Sequence, residues 1–268
     1  MRRALTSTRL RRQVDSPWPG TPGPRASPGG RRDQPEATRS NVAALIPAYA
    51  EERHIRDVVT RTRRHLDVVL VVDDGSPDRT ADEARAAGVA VLRHEHNAGK
   101  GAAIKTGLRA LIDRPDVAFV LILDGDGQHR PEEIPRFLAV ANEVRAAMVV
   151  GNRMGDVRTM PLVRLLTNRV MSWTVSGLIG QPVPDTQCGF RLFARPLFPR
   201  FAAMATSAFD AETEMLAIAA RSGCAIAAAR VSTVYDDQDS RISPWRDTVR
   251  FLRLMNRLTR TARTGESA

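Results

Sequence analysis

The chain has 268 residues, 43% of them apolar, with a formal net charge of +10. That is enough for one sizeable globular domain, and no apolar run approaches the roughly 18 residues that span a bilayer. Aromatic residues are only 5% of the total, too few for nucleic-acid stacking platforms, so a basic surface here favours phosphates or anionic lipid headgroups and not nucleic acid.

Almost all the positive charge is Arg; the only lysines are Lys100 and Lys105. Residues 1–40 are rich in Arg, Pro, Gly and Ser and lack any hydrophobic period, so they read as a disordered leader. They also lack the apolar core of a secretory signal. A first strand is expected from Asn41, followed by a Pro-punctuated loop and a helix running to about His65. A second strand spans Asp67 to Val72, a helix Pro77 to Ala87, and a short third strand Val89 to Leu92. The segment from His96 to Ala102 opens a helix that runs to about Leu111. Phe119 to Leu123 then reads as a fully buried strand. Pro131 to about Arg145 is helical and Ala146 to Gly151 another buried strand. This alternation predicts a mostly parallel sheet flanked by helices, in one domain over residues 41–251. Further helices are expected over 161–179, 211–222 and 244–260, and a strand near 226–233. Residues 252–268 form a basic end. Cys188 and Cys224 have no metal-type spacing and read as free thiols in a reducing, cytoplasmic compartment.

The chemistry concentrates where strands end. Ligands of parallel sheets sit beyond the carboxyl ends of the strands. There the buried run Phe119–Leu123 stops at Asp124-Gly-Asp126-Gly-Gln128-His129. Alternate side chains of an extended chain point the same way, so Asp124 and Asp126 suit one hard cation, Mg²⁺ or Mn²⁺, with Gln128 adding a neutral oxygen. A solvated Asp-Gly turn is the alternative. Asp73 and Asp74 end the second strand in the same manner, so four carboxylates would share one rim and raise one another's pKa unless a cation, sugar hydroxyl or base N–H relieves them. Lys100, among the glycines of Asn97-Ala-Gly-Lys-Gly101, sits at a helix start that favours anions. The segment is neither a Walker A loop nor Gly-x-Gly-x-x-Gly. Arg153 and Arg191 adjoin the cleft. Asp210 and Glu212 either complement a helix dipole or stand near an acceptor. His129 reads as an outer ligand or phosphate contact. The helices at 161–179 and 244–260 mix apolar residues with Arg, as interfacial helices do, with Trp173 and Trp245 as anchors; packing on the sheet is the alternative.

Pro47-Ala-Tyr49-Ala-Glu51-Glu52, Val71-Val-Asp73-Asp74-Gly-Ser76, Asn97–Gly101 and Asp124–His129 resemble, in order and spacing, family 2 glycosyltransferases with the GT-A, Rossmann-like fold. The resemblance is nearest to the dolichyl- or polyprenyl-phosphate mannosyl- and glucosyltransferase branch and covers roughly Asn41 to Phe251. It implies a GDP- or UDP-hexose donor and inversion at the anomeric carbon. Pro47, Tyr49 and Glu51 would hold base and ribose, and Asp73 the nucleoside. Asp124 and Asp126 match the DxD motif, with Asp126 and Gln128 as metal contacts. The segment from Asp185 to Arg191 would lie beside the reacting sugar. Arg153 resembles an acceptor-phosphate arginine, and Ser240-Arg241 stands where the branch often has Ser-Lys. Gly125 replaces the usual Ala within the DxD. A polyprenyl phosphate acceptor implies an enzyme peripheral at the inner face of the membrane. A transferase acting on a small-molecule or glycan hydroxyl, and a non-catalytic nucleotide-sugar or membrane-surface binder, are the other readings.

Overall fold

The computed structural model describes residues 34–155, 162–206 and 211–232. Apolar runs become the strands, buried in the middle of the sheet and partly exposed at its two edges. They are β1 (Val42–Ala48), β2 (Val68–Asp73), β3 (Ala90–Arg93), β4 (Phe119–Ile122), β5 (Met148–Asn152), β6 (Arg191–Ala194) and β7 (Ile226–Arg230). All seven residues of β1 and all four of β4 are buried, as strands covered by helices on both sides must be. The helices are α1 (Ile55–Thr62), α2 (Thr80–Ala86), α3 (Lys100–Ile112), α4 (Ile134–Val144), α5 (Leu162–Ile179), α6 (Phe198–Ala202) and α7 (Ala211–Arg221).

The sheet order is β3-β2-β1-β4-β6-β5-β7. The pairs β3–β2, β2–β1, β1–β4 and β5–β7 are parallel. β6 runs antiparallel to both β4 and β5, so the sheet is mostly parallel with one reversed strand. The sequence reading treated the segment around Arg191 as a site loop and missed this strand, because a charged residue opens a run of only four. The reversal has a consequence for the site. β6 starts at the edge where β4 ends, with Arg191 in register with Ile122. The segment leading into β6 is thereby laid against Asp124.

Two boundaries shift. Residues 34–40, expected to belong to the leader, pack on α4: Ala37 is buried, its N–H donates to Asn142 Oδ1 at 2.7 Å, and its carbonyl accepts from Asn142 Nδ2 at 3.0 Å. α2 begins later than Pro77, at Thr80, and α1 begins at Ile55. The loops that precede them are tied to each other instead. Ser76 Oγ accepts the Ala50 N–H at 3.0 Å, and Thr80 Oγ1 accepts the Glu51 N–H at 2.8 Å. Gly75 has φ +72°, and a Cβ there would lie 2.5 Å from the His96 carbonyl carbon. Only glycine lets the turn after β2 pass so close beneath the loop that leads to α3. The helix expected over 244–260 and Trp245 lie outside the described residues.

Candidate active site

β1, β2 and β4 end side by side, which brings the two acidic pairs to one edge of the sheet, but they are used differently. Asp74 is buried. It accepts the N–H groups of Ala98 and Gly99 at 3.0 and 2.7 Å and contacts His94 Nδ1 at 2.7 Å. It therefore pins the loop whose last residue, Gly99, has φ +96° and starts α3. Asp73 is also buried; it accepts the N–H and hydroxyl of Ser76, and Arg93 Nε lies 3.1 Å away. Both carboxylates brace the chain. Fixed donors take up the charge of Asp73 and Asp74, so the expected mutual repulsion is confined to Asp124 and Asp126.

Lys100, the first residue of α3, points into the gap between β4 and α7. Its Nζ lies 2.7 Å from Asp124 Oδ1 and 2.7 Å from Glu212 Oε1. Burial works against the ammonium, but the two carboxylates outweigh it and hold the Lys100 pKa well above the ordinary lysine value. Burial likewise works against the Asp124 carboxylate. Lys100, helped by His129, outweighs it and holds Asp124 far below the usual range. His129 is buried, its Nε2 3.6 Å from Asp124 Oδ2, with its ring against Phe190. Its place is thus a support behind Asp124. Asp126 differs. Its Oδ1 accepts the Gln128 N–H at 2.9 Å. Burial, then the neighbouring charge of Asp124, raise its pKa. No cationic side chain among the described residues pairs with it. Gln128 is half-buried beside it.

Two arginines expected at the reacting centre are engaged elsewhere. Arg191 is buried and donates to three carbonyls: Cys188 at 2.8 Å, Thr186 at 2.7 Å and Glu212 by a short bond. It knots the 186–188 segment to the start of α7 and so sets where Glu212 stands. Arg153 is buried and grips Asp185 bidentately, Nε at 2.7 Å and Nη2 at 2.9 Å. Asn168 of α5 completes the pair, donating to Asp185 Oδ1 at 3.0 Å. These contacts tie both guanidinium groups into the framework. Asp210, Ser240 and Arg241 lie outside the described residues.

With this geometry in view, the chain was compared with known proteins. The model of the family described as Glycosyl transferase family 2 matches residues 43–201, more than half of the chain. This chain belongs to glycosyltransferase family 2. Glycosyltransferase AglJ of Haloferax volcanii is 32% identical over 228 residues, covering 82% of this chain and 73% of the relative. UDP-N-acetylglucosamine–dolichyl-phosphate N-acetylglucosaminyltransferase of Methanococcus voltae is 29% identical, covering 72% and 85%. Polyprenol monophosphomannose synthase of Mycolicibacterium smegmatis is 31% identical, covering 67% and 71%. Among solved structures, glucosyl-3-phosphoglycerate synthase of Mycobacterium tuberculosis, crystallised with Mg²⁺ and uridine diphosphate, superposes with a TM-score of 0.60. It is 20% identical, with 85% of this chain and 81% of that one covered. At that identity the likeness concerns the GT-A fold.

In this glycosyltransferase the expected donor-side residues separate by exposure. Tyr49, just beyond β1, is 38% exposed and Glu51 is half-buried. Pro47 is buried inside β1, in register with Val72, and so is part of the sheet. At Gly125 a Cβ would meet Ala48 at 3.2 Å and Ile55 at 3.3 Å. Its smallness serves packing against β1 and α1. The glycine that keeps the site open is Gly189, where a Cβ would lie 2.6 Å from Asp124 Oδ2 and 2.9 Å from Lys100 Nζ. Nothing in the sequence around Gly189 marks this role, since its neighbours Asp124 and Lys100 are brought there only by the fold. The two cysteines are free, and burial pushes the Cys188 thiol up to about 12, so it is an inert core residue at neutral pH.

The Arg153–Asp185 pair yields a test. Burial opposes the charged form of Asp185, but the bonds from Arg153 and Asn168 outweigh it and lower the carboxyl pKa. A folded-state pKa below the unfolded value of about 3.9 means this stabilisation is complete above that value. It is lost as pH falls through the lower, folded value. Asp185→Asn leaves a buried guanidinium without its counter-charge, at an expected cost of about 3–5 kcal/mol at pH 7. The loss relative to the parent protein should narrow at the acid end. Urea melts of both proteins at pH 7 and pH 3 measure it.

Proposed function

We propose that this glycosyltransferase moves a hexose, with inversion, from a nucleotide diphosphate sugar to a polyprenyl phosphate, and that it uses Mg²⁺ or Mn²⁺. The observation that carries this reading is Asp126, a half-buried carboxylate at the carboxyl edge of the sheet, which has no direct ion-pair partner among the described residues and whose pKa is raised by burial and by Asp124. Among the described residues no three His, Cys, Asp or Glu side chains gather to enclose a metal. That fits Mg²⁺ or Mn²⁺, ions that take one or two carboxylates and fill the remaining positions with phosphate oxygens and water. Asp126 would hold the ion, with Asp124 and Gln128 beside it. When bound, the ion supplies Lewis-acid stabilisation of the departing diphosphate. The chain's own groups do the rest. The start of α3 presents free N–H groups to the diphosphate, and Tyr49 and Glu51 stand where the nucleoside would lie. Gly189 leaves room for the sugar beside Asp124.

The position of Glu212 favours a phosphate acceptor over a hydroxyl. A hydroxyl needs a base within reach to take its proton. Among the described residues Glu212 is the carboxylate expected to serve, and its Oε1 is tied 2.7 Å from the Lys100 ammonium. A phosphate is already ionised and needs none. The relatives named for dolichyl and polyprenol acceptors support the same reading. The acceptor-phosphate contacts remain assigned to Ser240 and Arg241 from the sequence, while Arg153 is reassigned to bracing Asp185.

A lipid acceptor requires the enzyme to sit at a membrane surface, and no helix among the described residues is long and apolar enough to cross one. α5 offers the contact instead. Its inward face is mixed: Val175 enters the core, while Asn168, Ser172 and Ser176 bond to Asp185, Thr186 and Val183. Its outward side carries three large apolar residues, Leu166 60%, Val170 61% and Trp173 80% exposed, beside exposed Thr167 and Arg169. Arg164 and Arg169 are its only charged residues. Exposed apolar residues on a helix whose charged residues are both arginines suit an anionic leaflet, with the enzyme on its cytoplasmic side.

The activity test uses labelled UDP- and GDP-hexoses with polyprenyl phosphate and Mn²⁺. Label should partition into organic solvent, chelation should stop transfer, and Asp126→Ala should lower kcat/KM by roughly 10²-fold or more. Label that stays in the aqueous phase with every donor would overturn the lipid acceptor. For the membrane, the protein should float with vesicles containing anionic lipid, and Trp173→Ala should reduce the bound fraction several-fold without lowering Tm. Equal flotation of the variant would remove α5 as the contact.

A further inference from the structure

The Lys100 ammonium sits where a cation bridging β4 and α7 would sit. It contacts Asp124 Oδ1 and Glu212 Oε1 at 2.7 Å each, and every element around it is fixed. Asp74 holds the N–H groups of Ala98 and Gly99, which sets where α3 begins and where its first side chain points. Arg191 donates to the Glu212 carbonyl and sets the start of α7. Gly189 keeps a Cβ out of the space beside the ammonium. Glu212 Oε2 is buried and has no hydrogen-bond partner, so its carboxylate depends on Lys100. A buried carboxylate stripped of its counter-charge is costly, which makes the ammonium a structural requirement of the ligand-free site.

We propose that Lys100 is a positioning residue acting as a resident cation: it occupies Asp124 and Glu212, leaves Asp126 as the carboxylate open to a divalent ion among the described residues of the site, and makes capture of that ion depend on the nucleotide diphosphate. The inference rests on the donor reading above. One carboxylate with water is a weak site for Mg²⁺ or Mn²⁺. A diphosphate at the start of α3 adds oxygens for the metal. It also gives the ammonium new anionic partners, which loosens its hold on Asp124. Metal and nucleotide therefore assist each other's binding, and by linkage the assistance is equal in both directions.

The test is Mn²⁺ binding to the full chain, followed by calorimetry and by the electron paramagnetic resonance of free Mn²⁺, alone and with saturating UDP or GDP. The parent protein should bind Mn²⁺ weakly alone and at least about tenfold more tightly with one of the nucleotides. Lys100→Met should bind Mn²⁺ alone about tenfold more tightly than the parent, and the gain from nucleotide should shrink accordingly. Lys100→Arg, which keeps the cation, should stay weak alone. Because Lys100→Met leaves two buried carboxylates unneutralised, the pair Lys100→Met with Glu212→Gln is measured in parallel; removing the second charge preserves folding, and its Mn²⁺ affinity alone should rise as well. If the folded variants bind Mn²⁺ alone no more tightly than the parent, while the parent retains its nucleotide-dependent gain, the resident-cation role is overturned. If the parent shows no Mn²⁺ binding with either nucleotide, the donor reading itself has failed.

Discussion

The ammonium of Lys100 joins three elements that are far apart in sequence: the start of α3, the end of β4 and the start of α7. Without it, Asp124 and Glu212 would face each other as buried negative charges beside a third, Asp126. The contacts around it serve this arrangement. Asp74 anchors the loop before α3, Arg191 anchors the turn of α7, and His129 stands behind Asp124. The reversed strand β6 delivers Gly189 and Arg191 to the same edge. A parallel sheet supplies the edge; the single antiparallel strand closes it on the side away from β1.

Much of the fold was legible because buried parallel strands write themselves as unbroken apolar runs. Val42–Ala48, Val68–Val72 and Phe119–Ile122 needed no other signal. β6 was not legible. Its four residues open with Arg191, and nothing local shows that a buried guanidinium will be satisfied by three carbonyls from other segments. The packing of Ala37 on α4 was hidden for a similar reason: its partner, Asn142, is a hundred residues away in the chain.

The candidate site shows the same division. Residue type and position at strand ends marked Asp73, Asp74, Asp124 and Asp126, and the four motifs marked the family. What composition and spacing do not carry is which of these groups face a ligand and which hold the chain. Asp73, Asp74, Arg153 and Arg191 have the chemistry of binding residues, yet each is buried among fixed partners. Asp126 and Tyr49 keep an open side. The pairing of Lys100 with Glu212, residues that α3 and α7 bring together, follows only from tertiary structure. Exposed phosphate-binding lysines and buried bridging lysines look alike in sequence.

Because the chain has only two lysines, the bridge is open to direct observation. Nitrogen-15 labelling of lysine side chains gives two ammonium signals, assigned by their loss in Lys100→Met and Lys105→Met. The Lys100 signal should remain protonated at pH values where an ordinary lysine titrates, about 10.4, and should move when Mg²⁺ and the nucleotide diphosphate are added together. Two signals that titrate alike near the ordinary value, both indifferent to metal and nucleotide, would contradict the account.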